Sequence, residues 1–346
     1  MTNLVFIILF AIFFTYTQNL YTYFDYLYIM DAKDKKILSE LSNNSRIPLT
    51  QLSKKVALSR EVINYRLKKL EKKVIKKYSS QINLEVLGFQ RTGCYISLQN
   101  CSTNKEKEVL DFLIHHKYIS AISTNIGKYD IIFDIFYKNN EQLQQIIIQI
   151  ENFFKDKLKE FFFVSIPVEQ KMFYNKLFDQ KEKITDQKTI MLIKINKRDL
   201  EILKILNNNS RESLVNIAER ININANAVGY RIKELEKRKI IEQSTIFIDF
   251  EELGFEIYNI QIKTNGTKDF EKIIQFLKNQ KSVFYYYQYF GNKDWDIDIE
   301  AIIKNKKELK ELIQEIKQNF GEIINFKEIY MIEKIFKEEL PQGVFD

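Results

Sequence analysis

The chain has 346 residues, 45% hydrophobic and 29% charged, with nine glycines and three prolines. That balance excludes wholesale disorder and collagen-like or Pro-rich architectures, and the length suits about two or more domains of ~100–200 residues. Lys and Arg number 53 against 46 Asp and Glu, a net +7 that suits a polyanionic partner without requiring one. Two cysteines (Cys94, Cys101) and two histidines (His115, His116) rule out a disulfide framework and lack zinc-ligand spacing. No cofactor is expected, reduced cytoplasm is the default compartment, and no glycine-rich phosphate loop, GxSxG or HExxH occurs.

Residues 1–29 stand apart, with Asp25 their single charge. Leu4–Phe24 is 21 residues, near the ~20 that span a bilayer, but the unbroken apolar core Leu4–Tyr16 is 13 long and no basic residue precedes it. Three readings stand: a start codon placed upstream of Met30, a membrane anchor that leaves Lys33, Lys35 and Lys36 on the cytoplasmic side, or an interfacial or packing segment.

The chain then repeats itself. Shifted by 165 residues, segment 31–75 falls on 196–240 without a gap, and 16 of the 45 positions are identical. After a one-residue insertion, Leu87-Gly88-Phe89 matches Leu253-Gly254-Phe255. Expected boundaries are 31–80 and 82–175 for the first copy, a charged linker 176–195, then 196–246 and 247–340 for the second.

Each copy opens with helices. Asp31 and Asp34, repeated as Asn196 and Asp199, stand in capping positions. Ile37, Leu38 and Leu41 share one helical face, and Asn43-Asn44-Ser45 breaks that helix. A second short helix carries Leu49, Leu52 and Val56 inward, Ala57-Leu58-Ser59 turns, and Ser59 caps a third helix through Lys72. Val62, Ile63, Leu67 and Leu70 form its expected apolar stripe. Three short helices with a tight turn before the last make a helix-turn-helix, and Val74–Tyr78 reads as a wing strand.

The second part of each copy alternates as β-α-β-β-α-β, the ferredoxin-like order. In the first copy the predicted elements are Thr92–Gln99, Lys105–His116, Ile119–Asn125, Ile131–Tyr137, Glu141–Phe154 and Phe161–Pro167, followed by extended Lys171–Tyr174. In the second they are Ile257–Lys263, Asp269–Asn279, Ser282–Phe290, Asp296–Ile303, Lys307–Gln318 and Ile323–Ile335. The fold class is therefore α+β, with two tandem units of (winged) helix-turn-helix plus ferredoxin-like domain.

This layout resembles the Lrp/AsnC (feast/famine) transcriptional regulators. The residues that carry the resemblance are Asp34-x-x-Ile37-Leu38-x-x-Leu41, Asn44-x-Arg46, Ser59-x-x-Val62-x-x-Arg66-Leu67-x-x-Leu70-Glu71, Ile75-x-x-Tyr78 and the loop Gly127-x-x-Asp130. It covers nearly all of 31–340, twice, whereas the usual family protein has one unit and pairs through its α+β (RAM-type) domain. Ala57 and Asn222 stand where the family often has glycine. The resemblance implies double-stranded DNA as partner, an amino-acid-type effector in some relatives, and pairing of the two α+β domains within one chain or between chains.

The third helix of a helix-turn-helix enters the major groove. Ser59, Arg60, Asn64, Tyr65, Arg66, Lys68 and Lys69 are the DNA-contact candidates of the first copy. Arg60 suits guanine and Asn64 adenine, and Lys68, Lys69, Lys72, Lys73, Lys76 and Lys77 suit phosphate. Tyr65 and Tyr230 could instead close the core edge, and Arg66 could pair within the bundle. Arg46 and Glu71 are expected to pair with each other. Residues 59–77 carry eight basic and two acidic side chains, but 224–243 only five and three. The second copy offers Asn226, Tyr230, Arg231 and Lys233, with Ala225 and Gly229 in place of Arg60 and Asn64. The two copies are therefore not expected to read the same half-site; the second reads a different sequence or has turned structural.

By resemblance, Gly127, Tyr129 and Asp130, and Gly291, Trp295 and Asp296, are effector-loop candidates; a tight turn between strands is the alternative. Sirohaem decarboxylases resemble the same two-part unit but would want a histidine in the strand before that loop, where this chain has Ser123-Thr124-Asn125 and Gln288-Tyr289-Phe290. His115 and His116 are expected on the surface, and no enzymatic activity is expected. A membrane-tethered DNA-binding sensor is the further alternative if residues 1–29 belong to the protein.

Overall fold

A computed structural model describes residues 30–165, 168–170, 192–266, 268–289 and 292–346. The N-terminal segment 1–29, extended Lys171–Tyr174, the linker up to residue 191 and Gly291 lie outside the described residues. Within them, no helix is long and apolar enough to cross a membrane.

The first bundle consists of α1 (Ala32–Asn43), α2 (Leu49–Val56) and α3 (Arg60–Lys73). Asp31 caps α1 by accepting the Lys33 and Asp34 amides, both at 2.8 Å. The turn into α3 puts Ala57 at φ 57°, a left-handed conformation that costs a residue with a Cβ roughly 1–2 kcal/mol. Lys33 Nζ donates to the Val56 carbonyl at 2.8 Å and so supports the C-terminus of α2. The second bundle repeats the plan with α6 (Lys197–Asn208), α7 (Leu214–Ile221) and α8 (Ala225–Lys237), and Asn222 takes φ 53° at the equivalent turn.

The strands that follow, β1 (Ile75–Ile82) and β7 (Ile241–Ile248), pair antiparallel with each other, with Ser79 opposite Thr245. The segment read as a wing strand is thus half of an inter-copy ribbon. The ribbon crosses the two copies. Ile246 and Ile248, with Phe250 and Leu253, lie in the core built on Ile37, Leu38, Leu41, Leu52, Ile63 and Leu70. Ile82, Leu84, Val86 and Phe89 lie in the core of α6, α7 and α8. Helix α1 packs on β7 and α6 on β1, so each bundle is closed by chain from the other copy.

Backbone hydrogen bonds recur in reciprocal pairs about a local two-fold. Asp249 N donates to Val74 O at 2.7 Å and Asn83 N to Ile240 O at 2.9 Å; Ser45 N donates to Ser244 O at 2.8 Å and Ser210 N to Tyr78 O at 3.2 Å. Between these sit two serine pairs, Ser45–Ser210 at 2.6 Å and Ser80–Ser244 at 2.9 Å between hydroxyl oxygens. Small hydroxyls satisfy each other here and let the backbones approach, which larger polar side chains would prevent.

The first α+β domain contains β2 (Gln90–Leu98), α4 (Thr103–His115), β3 (Ile119–Ile126), β4 (Ile131–Tyr137), α5 (Asn140–Phe154) and β5 (Leu158–Ser165). The second contains β8 (Glu256–Thr264), α9 (Phe270–Asn279), β9 (Val283–Gln288), β10 (Ile297–Ile303), α10 (Lys306–Phe320) and β11 (Ile324–Lys337). With the short β6 (Val168–Gln170), they form one row in the order β5-β2-β4-β3-β11-β8-β10-β9-β6. Each half keeps the ferredoxin-like order, and the strands and helices predicted for these two domains lie where expected, with described ends shifted by three residues or fewer. The last strands also serve the other copy: β11 pairs with β8 over Ile324–Ile332 and with β3 over Met331–Lys337, and the short β6, which follows β5, pairs with β9. Helices α4 and α5 cover one half through Val109, Leu113, Ile146 and Ile150, and α9 and α10 the other through Ile273, Leu277, Leu312 and Ile316.

Because Ile246 completes a core whose helices lie about 180 residues earlier in the chain, Ile246→Ala should loosen the first bundle. A buried Ile→Ala change costs about 2–5 kcal/mol. Hydrogen exchange at the amides of Ile63, Leu67 and Leu70 should quicken accordingly; unchanged protection there would contradict the crossed closure.

Candidate nucleic-acid interface

Helix α3 buries Ile63, Leu67 and Leu70 and exposes Arg60, Asn64, Tyr65, Lys68, Lys69 and Lys72. Its N-cap is Ser59, whose Oγ accepts the Val62 amide at 3.3 Å. Val62, expected in the apolar stripe, is 40% exposed. The buried set falls at i, i+4 and i+7, and the ~100° between successive residues carries Val62 off that face. Tyr65 and Tyr230 are 70% and 67% exposed, so neither closes a core edge. On α8 the outward positions are Asn226, Tyr230 and Lys233, with Ala225 and Gly229 beside them. A Cβ on Gly229 would stand 3.3 Å from Leu214 Cδ1, so the missing side chain lets α7 and α8 pack closely.

Arg66 is half-buried against the start of α1. Its Nη1 donates to Asp31 Oδ2 at 2.7 Å and Asp34 Oδ1 at 2.8 Å, and these hydrogen bonds, Asp34 first, raise its pKa. Arg231 repeats the contact on Asp199 at 2.8 Å. These two DNA-contact candidates tie the third helix to the first.

Arg46 and Glu71 do not pair with each other. Arg46 Nη1 reaches across the two-fold to the carbonyls of Ser210 and Glu212, the latter at 3.2 Å, and burial lowers its pKa. Glu71 instead accepts the Tyr78 hydroxyl at 2.7 Å, and Arg211 lies over the Tyr78 ring at 5.1 Å. The reason is the crossed ribbon, which brings the other copy's loop to Arg46 before Glu71 can reach it.

Half of the expected phosphate lysines also face chain from the second copy. Lys73 lies 4.0 Å from Glu252, Lys76 3.5 Å from Asp249 and Lys77 3.9 Å from Glu339. Lys68, Lys69 and Lys72 remain on the exposed surface of α3 beside Arg60 and Asn64.

The effector-loop candidates are built into the sandwich. A Cβ on Gly127 would lie 2.4 Å from Tyr330 Cβ, so glycine is needed where β11 of the other copy passes. Tyr129 and Trp295 are buried together with Tyr95, Val164 and Tyr289. Asp130 accepts the Leu98 amide at 2.6 Å. Asp296 accepts the Thr264 amide and hydroxyl at 2.8 Å and the Lys263 ammonium at 2.8 Å. Both aspartates thus fasten the ends of neighbouring strands.

Behind these loops lies a polar cluster that sequence reading missed. Asp298, 1% exposed, accepts from Asn259 Nδ2 at 3.1 Å, Gln261 Nε2 at 3.2 Å, the Tyr330 hydroxyl at 3.3 Å and the Tyr95 hydroxyl at 3.4 Å. Burial pushes its pKa up to about 6, against those hydrogen bonds. Trp295 Nε1 is buried without a hydrogen-bond partner among the described residues. The alternation of Asn259, Gln261 and Lys263 along β8 was the available signal, since polar residues at period two on a buried strand must share an inner face. Among the described residues no group of three or more His, Cys, Asp or Glu could hold a metal ion. His115 and His116 sit at the end of α4, with His116 hydrogen-bonded to Gln149 at 3.1 Å.

The profile of the AsnC-type helix-turn-helix domain matches residues 30–71, and that of a winged helix-turn-helix DNA-binding domain matches residues 195–242. The chain is 32% identical over 120 residues to the HTH-type transcriptional regulator FL11 of Pyrococcus furiosus, a match that spans 34% of this chain and 78% of that protein. It is 30% identical over 122 residues to the HTH-type transcriptional regulator LrpA of Pyrococcus horikoshii, spanning 34% of this chain and 84% of that one. A crystal structure of the siroheme decarboxylase NirDL superposes with a TM-score of 0.61 at 13% identity, over 90% of this chain and 96% of that one, which is a likeness of fold.

Asp298 makes stability depend on pH. Its folded pKa, about 6, lies above the ordinary 3.8, so the folded state holds the proton more tightly and stability falls as pH rises from about 4 through 6. The gap corresponds to roughly 3 kcal/mol. The stability difference between wild type and Asp298→Asn, measured by denaturant titration, should change by that order between pH 4 and 7; a constant difference would mean that Asp298 is not a strained acid.

Proposed function

The chain belongs to the Lrp/AsnC family, and on that premise we propose that it is a sequence-specific DNA-binding transcriptional regulator in which α3 is the main reading helix. The observation that carries this reading is the outward face of α3. Arg60 and Asn64 stand exposed beside Lys68, Lys69 and Lys72, with the apolar face of the helix sunk in its bundle. Arginine offers a fork of donors to guanine O6 and N7, asparagine a donor and an acceptor to adenine, and lysines a charge for phosphate. Val62 adds an exposed apolar group suited to a thymine methyl. On α8, Asn226, Tyr230 and Lys233 are the corresponding contacts. Arg66 and Arg231 act in this reading as braces that set the angle of the third helix. Because Asp130 and Asp296 are engaged by strand amides, the reading rests on DNA alone and assigns no effector.

The whole-length likeness to a siroheme decarboxylase favours a second reading, an enzyme on the same tandem fold. The chain's own residues weigh against it, because neither strand preceding the loops carries a histidine. Tetrapyrrole absorbance in the purified protein would revive it.

Arg60→Ala and Asn64→Ala should each cost about 1–3 kcal/mol of discrimination at one or two base positions. The double change Lys68→Glu with Lys69→Glu should weaken all duplexes alike and flatten the dependence of log affinity on log salt by about one for each phosphate that is no longer neutralised. Binding isotherms at several salt concentrations separate the two effects. Indifference of duplex binding to all four substitutions would remove the regulator reading.

A further inference from the structure

We propose that one chain, acting through its internal two-fold, reads a non-palindromic duplex, with bases read in one half-site and the other half-site held mainly by its backbone. The proposal rests on the reading of α3 as a DNA-contacting helix and goes beyond it.

Two observations carry it. First, the two third helices belong to one crossed body. Each bundle is closed by the other copy's strand, and reciprocal backbone bonds about the Ser79–Thr245 pair hold them in two-fold relation. The proposal places these two heads in successive major grooves, about 10–10.5 base pairs apart, without a second chain. Second, the two heads share several phosphate-directed side chains but differ at most of the base-directed ones. Tyr65 and Tyr230, Lys68 and Lys233, and Lys72 and Lys237 are shared, and these are groups that bond or neutralise phosphate. Arg60 becomes Ala225, Glu61 becomes Asn226, Asn64 becomes Gly229 and Lys69 becomes Glu234. The positions able to pair bidentately with a base edge are thus kept in the first head and, apart from Asn226, emptied in the second. At residue 229 the change is structural as well, since the glycine accommodates Leu214. Two identical chains related by a two-fold would present the same head twice and select a palindrome; the tandem copy has no such obligation.

The test is selection from random duplexes with the full chain at fixed salt. The expected motif has one information-rich half-site, with the second segment about one helical turn away nearly free of sequence preference. A palindrome with equal information in both halves would overturn the proposal and leave the regulator reading intact. Binding without any enriched sequence would instead sink the regulator reading itself. The full chain carrying Ala225→Arg, Asn226→Glu and Gly229→Asn should select a palindrome of the strong half-site, with affinity for it at least ten-fold above that of the unaltered chain. Because Gly229→Asn presses on Leu214, the pair Ala225→Arg and Asn226→Glu is run alongside and should add preference at the base facing residue 225. A motif unchanged by the folded pair variant would overturn the assignment of the asymmetry to these side chains. The converse change, Arg60→Ala with Asn64→Gly, should erase the strong half-site and leave salt-dependent binding without sequence preference; survival of the half-site would overturn it too.

Discussion

The antiparallel pairing of β1 with β7 is the constraint on which the rest of the molecule depends. A two-stranded ribbon is at best marginal alone in water. Here it is covered by α1 on β7 and α6 on β1. The Ser79 and Thr245 hydroxyls donate to the carbonyls of Asn207 and Ser42 at the ends of the covering helices, and the two serine pairs satisfy each other. Because each strand leaves its own bundle to finish the other, neither bundle has a complete core without its counterpart. The position of one third helix relative to the other is thereby set by buried apolar contacts between the copies.

The sandwich repeats the same principle one layer away. Strand β11 runs from its own sheet onto β3, and β6 reaches β9, so that the two halves share strands at both junctions. Gly127 is explained by this exchange, since Tyr330 on the incoming strand leaves no room for a Cβ. The C-terminal residues then return to the second bundle, where Val344 is buried, and Gly343 N donates to Lys117 O at 2.7 Å on the first domain. A covalently joined pair forms without the concentration dependence of a dimer, and its two heads are free to diverge, as Ala225 and Gly229 have from Arg60 and Asn64.

Much of this was legible in the amino-acid order. The duplication, the helix-turn-helix periodicity and the βαββαβ alternation depend on contacts between residues a few positions apart, or on the burial of a single face, and both leave a period in the sequence. The outward set Arg60, Asn64, Lys68 and Lys69 was readable for the same reason: with Ile63, Leu67 and Leu70 inside, helical geometry puts those residues outside. Val62 was misplaced because an apolar residue adjacent to a stripe looks like part of it until the helix is phased on its bundle.

What sequence alone determined is the kind of each element, its order, and the chemistry available on its exposed face, since these follow from local periodicity and side-chain type. Only the tertiary structure decided which copy closes which core, that Arg46 crosses to Ser210 and Glu212 instead of meeting Glu71, that Lys73, Lys76 and Lys77 face carboxylates, and that Asp298 is buried inside the sandwich among Asn259, Gln261, Tyr95 and Tyr330. Those facts rest on pairings between residues far apart in the chain. Two similar copies offer nearly the same local signals for closing on themselves as for closing on each other, and the choice is made by shape and burial in three dimensions.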